Sequence, residues 1–194
     1  MSRLVVLKRH PKRTLAGLSA ALAAVAVAVG SGADFTASSA NPSNTFSSGT
    51  LSMSNSSNAA AILTAPALKP GGAAATGTVD IKNTGSLAGV FTLSRGTPAD
   101  SGSVAALSGK LNLVVGDCGL FSGSTPPSCA SPTTIYSGTL AQMGTSGHSI
   151  GSLGTYSAGD KHRYQFSVSL DASADNDYQG GTSTVEFDWS ATQS

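Results

Sequence analysis

Along most of the chain, apolar and polar residues alternate one for one. Tyr164, Phe166, Val168 and Leu170 fall on one side of such a run, and Arg163, Gln165, Ser167 and Ser169 on the other. Val185, Phe187 and Trp189 alternate with Thr184, Glu186, Asp188 and Ser190, and Leu51 and Met53 with Thr50, Ser52 and Ser54. Val79 and Ile81 sit between Thr78, Asp80 and Lys82; Phe91 and Leu93 flank Thr92; Leu111, Leu113 and Val115 continue the pattern. A strand sends successive side chains to opposite faces, so this period predicts sheets with one buried and one wet face, as antiparallel sheets have. Turn signals separate the runs: Pro70-Gly71-Gly72, Asn83-Thr84-Gly85, Gly96-Thr97-Pro98, Ala158-Gly159-Asp160 and Gly180-Gly181. Many short strands with frequent breaks predict an all-β fold, an antiparallel two-sheet sandwich of jelly-roll type. A helical stretch is suggested only weakly, around Val104 and Leu107, and no internal repeat is evident.

The first 33 residues follow a different logic. Arg3, Lys8, Arg9, Lys12 and Arg13 open the chain, residues 15–29 are uncharged and mostly Ala, Leu and Val, and Gly30, Ser31, Gly32 and Ala33 are all small. A basic opening, a short apolar core and a small-x-small exit predict a secretory signal peptide, helical in its core and cleaved between Ala33 and Asp34. The alternative is an uncleaved anchor, for which 15 apolar residues are short against a hydrocarbon core of about 30 Å. The expected organisation is residues 1–33 as signal peptide, 34–43 as an extended N-terminal segment and 44–194 as the sandwich.

Removing that leader changes the charge. Of the 11 Lys and Arg six remain, against all 10 Asp and Glu, so the mature chain carries about −4. An acidic chain has no basic face for phosphate, which argues against nucleic acid as a partner and against adhesion to anionic lipid. Cys118 and Cys129 both lie in the exported part, and an even cysteine count in an oxidising compartment predicts a disulfide. Residues 122–131, with Pro126 and Pro127, form the loop it would pin.

Several motifs resemble catalytic or metal-binding signatures. Gly147-His148-Ser149-Ile150-Gly151 matches the Gly-x-Ser-x-Gly elbow, which works by exposing a serine at a strand-to-helix turn; no helical pattern follows here. Asp175-Asn176-Asp177-Tyr178-Gln179-Gly180 with Glu186 comes close to the calcium-loop spacing, but Glu186 is expected inside a strand, turned away from Asp175. Gly109-Lys110 has Leu111 where a phosphate loop needs Ser or Thr. His148 and His162 lack a third ligand at metal spacing and read as surface histidines. Asn55-Ser56-Ser57 is a glycosylation sequon. No catalytic residue, cofactor or metal is expected. The C-terminal Trp189 to Ser194 carries neither a hydrophobic tail nor a Leu-Pro-x-Thr-Gly sorting signal, so covalent attachment to a cell wall is not expected.

Three stretches in order carry a resemblance. Ala33-Asp34-Phe35 followed by Thr45-Phe46-Ser47-Ser48-Gly49-Thr50-Leu51 resembles the mature N-terminus of the TasA/camelysin family, secreted bacterial biofilm-matrix proteins often found with a SipW-type signal peptide. Leu68-Lys69-Pro70-Gly71, then Gly77-Thr78-Val79-Asp80-Ile81-Lys82-Asn83-Thr84-Gly85, is similar to its central segment. Tyr178-Gln179-Gly180 leading into Val185-Glu186-Phe187-Asp188-Trp189 is similar to its last strand. The resemblance implies a jelly-roll subunit of matrix fibres at the bacterial surface, released by a SipW-type signal peptidase. Self-assembly is then head to tail by donor-strand exchange, with other matrix components as further candidate partners. The implied donor is Asp34, Phe35, Thr36, Ala37, Ser38, Ser39 and Ala40. The chain is shorter than the family pattern between Gly96 and Tyr136, and it adds the cysteine pair there. A monomeric secreted binding module is the alternative. A camelysin-type metalloendopeptidase finds no paired histidines on a helix here.

Overall fold

A computed structural model describes residues 48–150 and 152–194. The signal-peptide helix, the cleavage site and the donor segment 34–40 lie outside the described residues. The described chain is all-β, an antiparallel sandwich built from ten strands: β1 (Met53–Asn55), β2 (Ala75–Asn83), β3 (Gly89–Arg95), β4 (Ala99–Ser101), β5 (Leu111–Leu120), β6 (Thr133–Thr139), β7 (Thr155–Tyr156), β8 (Lys161–Leu170), β9 (Thr182–Thr184) and β10 (Phe187–Gln193). A five-stranded sheet runs β1-β2-β8-β5-β6, a three-stranded sheet runs β10-β3-β7, and β4 pairs with β9 in a separate ribbon. The chain passes repeatedly from one sheet to the other, at β2–β3, β6–β7 and β7–β8, as jelly-roll chains do.

β8 is the organising strand. It pairs with β2 on one side and β5 on the other, placing Tyr164 opposite Val79 and Phe166 opposite Val115. These four side chains are almost fully buried and share the inner face. Across the interior, Phe166 meets Phe187 at 4.7 Å between ring centroids, and Tyr164 meets Trp189 at 5.1 Å, both tilted. Tilted and edge-on rings suit the aromatic quadrupole, and each such pair adds about 0.5–1.5 kcal/mol beyond area burial. Phe91 and Leu93 of β3, Leu111 and Leu113 of β5, and Tyr136 of β6 complete the core. Every alternating run read from the sequence therefore contributes to it, apart from two adjustments. β10 begins at Phe187, leaving Val185 and Glu186 just ahead of it, and β1 is only three residues long. The suggested helix near Leu107 is a single 3-10 turn, Leu107–Gly109.

Two polar devices close the β2–β3 end and the far turn. Asn83 is fully buried and donates from Nδ2 to the carbonyls of Leu87 (2.8 Å) and Tyr156 (3.0 Å), while its Oδ1 accepts from the Gly85 amide at 3.0 Å. With three bonds made, the amide costs little to bury. Arg95 donates to the carbonyls of Met143 (2.9 Å) and Ala141 (3.1 Å), tying β3 to the turn after β6.

Cys118 and Cys129 are joined in a disulfide with Cα atoms 4.9 Å apart. Cys118 sits in a bulge, where the β5–β8 register shifts between Asp117 and Gly119. Gly119 adopts φ 113°, a conformation that strains any side-chain-bearing residue. The loop beyond is further held by Lys161, whose Nζ lies 4.1 Å from the Phe121 ring centre and donates to the Gly123 carbonyl at 2.9 Å. The cross-link closes a sequence separation of 11. Replacing both cysteines by serine is therefore expected to lower unfolding stability by about 2–3 kcal/mol while leaving the β-type circular dichroism intact, read from denaturant midpoints.

Candidate functional site

The interior offers two places where chemistry or binding could concentrate, at different positions along β8. The first is polar and aromatic. His162 stands opposite Ile81 of β2 and shares the inward face with Tyr164, so it is not the surface histidine expected from sequence; about one fifth of its side chain is exposed. Its Nδ1 lies 2.9 Å from Oδ2 of Asp117, across 45 positions in sequence. Its ring stacks on Tyr156 at 4.5 Å, and Tyr156 stacks in turn on Phe91 at 4.3 Å. The hydroxyls of Tyr156 and Tyr164 are hydrogen-bonded to one another.

The bulge in β5 makes this arrangement. It offsets the chain after Asp117, and the Gly119 amide turns back to donate to Asp117 Oδ1 at 2.7 Å. Burial alone would raise the Asp117 carboxyl, but the hydrogen bond from His162, the Gly119 amide and the attraction of the imidazole outweigh it. The carboxyl is held below its ordinary value of 3.8. Burial pushes both tyrosine phenols well above their usual range, so they stay neutral donors at any ordinary pH. A carboxylate-oriented imidazole is also the rear half of a hydrolytic triad. No hydroxyl or thiol among the described residues is hydrogen-bonded to His162, and Asp117 is its one polar partner. What the cluster does visibly is join β5, β7 and β8 at one end of the sandwich.

The motifs singled out from sequence are not gathered there. Ser149 is exposed on the loop between β6 and β7, where Gly144 donates to the His148 carbonyl at 2.9 Å. The described residues on either side of the elbow motif contain no helix to form a strand-to-helix turn. Lys110 donates to Ser173 at 2.7 Å. Ser173 in turn donates through its amide and hydroxyl to Asp171, and with Asn112 this lowers the Asp171 carboxyl to about 2. Asp175 accepts from the Asp177 amide at 3.0 Å and so caps a 3-10 turn, Asn176–Tyr178. Glu186 lies before β10 rather than inside it, and its side chain is exposed. Among the described residues no three His, Cys, Asp or Glu side chains gather as a metal ion would need. Asn55 of the sequon accepts from the Ser57 amide at 2.8 Å, forming a turn directly after β1.

The second place is apolar. Five strands face three, and the smaller sheet leaves part of the larger one's inner surface without a strand above it. The result is a half-open cleft of about 850 Å³ over Leu111, Val168 and Leu170, walled by Val185 and Phe187. Residues 61–68 close one side, and residues 174–181, with the 3-10 turn Asn176–Tyr178, and β9 close the other. Among the described residues β10, which begins at this wall, has only β3 as a neighbour, so its outer edge carries backbone groups that no described strand pairs. Sequence reasoning did not reveal the cleft, because it results from the unequal number of strands in the two layers. No family model matches the chain, and no curated protein matches it.

The Asp117 contact has a definite pH signature. Because the folded carboxyl titrates lower than the unfolded one, its stabilisation is complete above the unfolded value near 3.8 and is lost as pH falls through the lower folded value. The carboxyl-carbon NMR shift of Asp117 is therefore expected to titrate with a midpoint below 3.8. A midpoint at or above that value would remove the hydrogen-bonding account.

Proposed function

We propose that the chain is an exported structural subunit that assembles head to tail into extracellular fibres, the N-terminal segment of one copy entering the sheet framework of the next. The observation that carries this reading is the apolar cleft beside the edge of β10, which is unpaired among the described residues. An extended segment laid there would satisfy edge amides and carbonyls while burying alternate side chains. Residues 34–40 suit that role in composition: they contain no proline, Phe35 is their one large apolar anchor, and Pro42 ends the run. Donor and acceptor lie on different parts of one chain, so the contact is heterologous and need not close into a ring. The resemblance to the TasA/camelysin family points the same way, as does the leader-like opening. A cleavage at Ala33 would free the donor at its own N-terminus, which couples release to assembly.

A second reading is favoured by one observation. The cleft volume, about 850 Å³, falls within the range of small-molecule pockets, about 300–1,000 Å³, which suits a monomeric binding module. The two readings separate on one comparison. Electron microscopy and size-exclusion chromatography of the chain starting at Asp34 are expected to give fibres that increase with concentration. The same chain lacking residues 34–40 is expected to remain monomeric. If the truncated chain assembles as well as the intact one, or neither assembles at any concentration, strand donation is not the function.

A further inference from the structure

The cleft is bounded on one side by residues 61–68, part of the connection between β1 and β2, which lie against the inner face of the larger sheet. The close contact is at Gly77. It lies on the same face of β2 as the buried Val79 and Ile81, so its missing side chain would point into the sandwich. A Cβ built there would fall 2.1 Å from the Ile62 carbonyl oxygen, 2.9 Å from its carbonyl carbon and 3.0 Å from Leu63 Cβ. The three nearest atoms all belong to the connection. Glycine in a strand interior marks this kind of close backbone approach.

The connection is tied at both ends and loose between them. On the β1 side the Ser56 amide donates to the Asp80 carbonyl (3.0 Å), and the Asp80 amide donates to Ser56 Oγ (2.8 Å). On the β2 side Pro70 bridges to Leu170, and the Gly71 amide donates to the Leu170 carbonyl at 3.0 Å. Among the described residues no backbone amide of 61–68 donates to another backbone carbonyl. What holds the middle is the half-buried contact of Ile62, Leu63 and Leu68 with the core. Ala67 lies at φ 57°, a left-handed conformation that a side-chain-bearing residue seldom adopts. Strained backbone of this kind concentrates at segments that switch.

We infer that residues 61–68 are a displaceable strap, occupying in cis the inner-face position from which an incoming strand of a second copy must remove it. This rests on the fibre reading and adds regulation to it. A covered acceptor binds with its intrinsic affinity multiplied by the fraction of molecules whose strap is off, so the strap sets a threshold concentration for assembly. Its apolar side chains shield the cleft while the subunit is alone, and its lack of strand pairing lets it leave without breaking a sheet.

Gly77→Ala tests the strap with one methyl group. The Gly77 backbone is not in the left-handed region, so β2 accepts alanine there, and the three atoms its methyl group would meet first all belong to the strap. Gly109→Ala, whose Cβ meets nothing within 4 Å, serves as the control. Assembly of the chain starting at Asp34 is followed by light scattering, and release of the strap by the rate of limited proteolysis within residues 61–68. The Gly77→Ala chain is expected to be cut faster in that segment and to assemble at a concentration lower by about ten-fold, a shift worth roughly 1.4 kcal/mol. Faster cleavage with an unchanged or higher assembly threshold, or cleavage no faster than in the parent chain, would overturn the strap. If Gly77→Ala does not fold, the Ile62→Ser, Leu63→Ser double variant, which weakens the strap's hold without a clash, is judged by the same two readouts. Failure of the fibre reading shows separately, in assembly that survives deletion of residues 34–40.

Discussion

The structure depends on the register of β8. This strand lies in the middle of the larger sheet, hydrogen-bonded on both sides, and it also supplies the aromatic side chains that meet the smaller sheet. A slip of one residue would turn Tyr164 and Phe166 to solvent and bring Arg163 and Gln165 inside. The bidentate pairing of Arg163 with Asp80 (2.7 and 3.0 Å) on the outer face, and the single contact of His162 with Asp117 on the inner one, mark the same register from both sides. The salt bridge on the wet face is worth little as energy. Its value is in favouring one alignment over its neighbour.

Much of this was legible in the sequence, for a physical reason. A strand with one wet face must alternate, and β2, β3, β5, β8 and β10 do. β4, β6, β7 and β9 escaped notice because their members are short or dominated by Ser, Thr and Gly. In β6 only Ile135 and Tyr136 are large, and in β7 only Tyr156. The disulfide followed from count and compartment. The His162–Asp117 contact did not, since it depends on a bulge that no periodicity encodes. The same holds for the cleft, a property of how strands divide between layers.

The two notable regions divide the labour of the sandwich. At one end, a stacked series of Phe91, Tyr156 and His162, a bulged strand and a cross-link hold three strands together. At the other, one wall of the apolar surface is residues 61–68, whose backbone amides make no bond to a backbone carbonyl among the described residues, while the facing wall, residues 174–181 and β9, is well hydrogen-bonded. Regions of low local stability are where proteins admit partners, because opening them costs little relative to global unfolding. Gly77 illustrates how finely such cover is set: the absence of one methyl group is what allows Ile62 to rest on the sheet.

The placement of Cys118 inside the bulge has one more consequence. Thiols stay reduced in an ordinary cytoplasm and pair only in oxidising surroundings. The bond at Cys118 adjoins Asp117, so whether this end of the molecule is cross-linked depends on the redox state of its surroundings as well as on packing. A copy that matures on the reducing side of a membrane and one that matures on the oxidising side would share a sequence and a core yet differ at β5. The cross-link is thus a covalent record of oxidising surroundings.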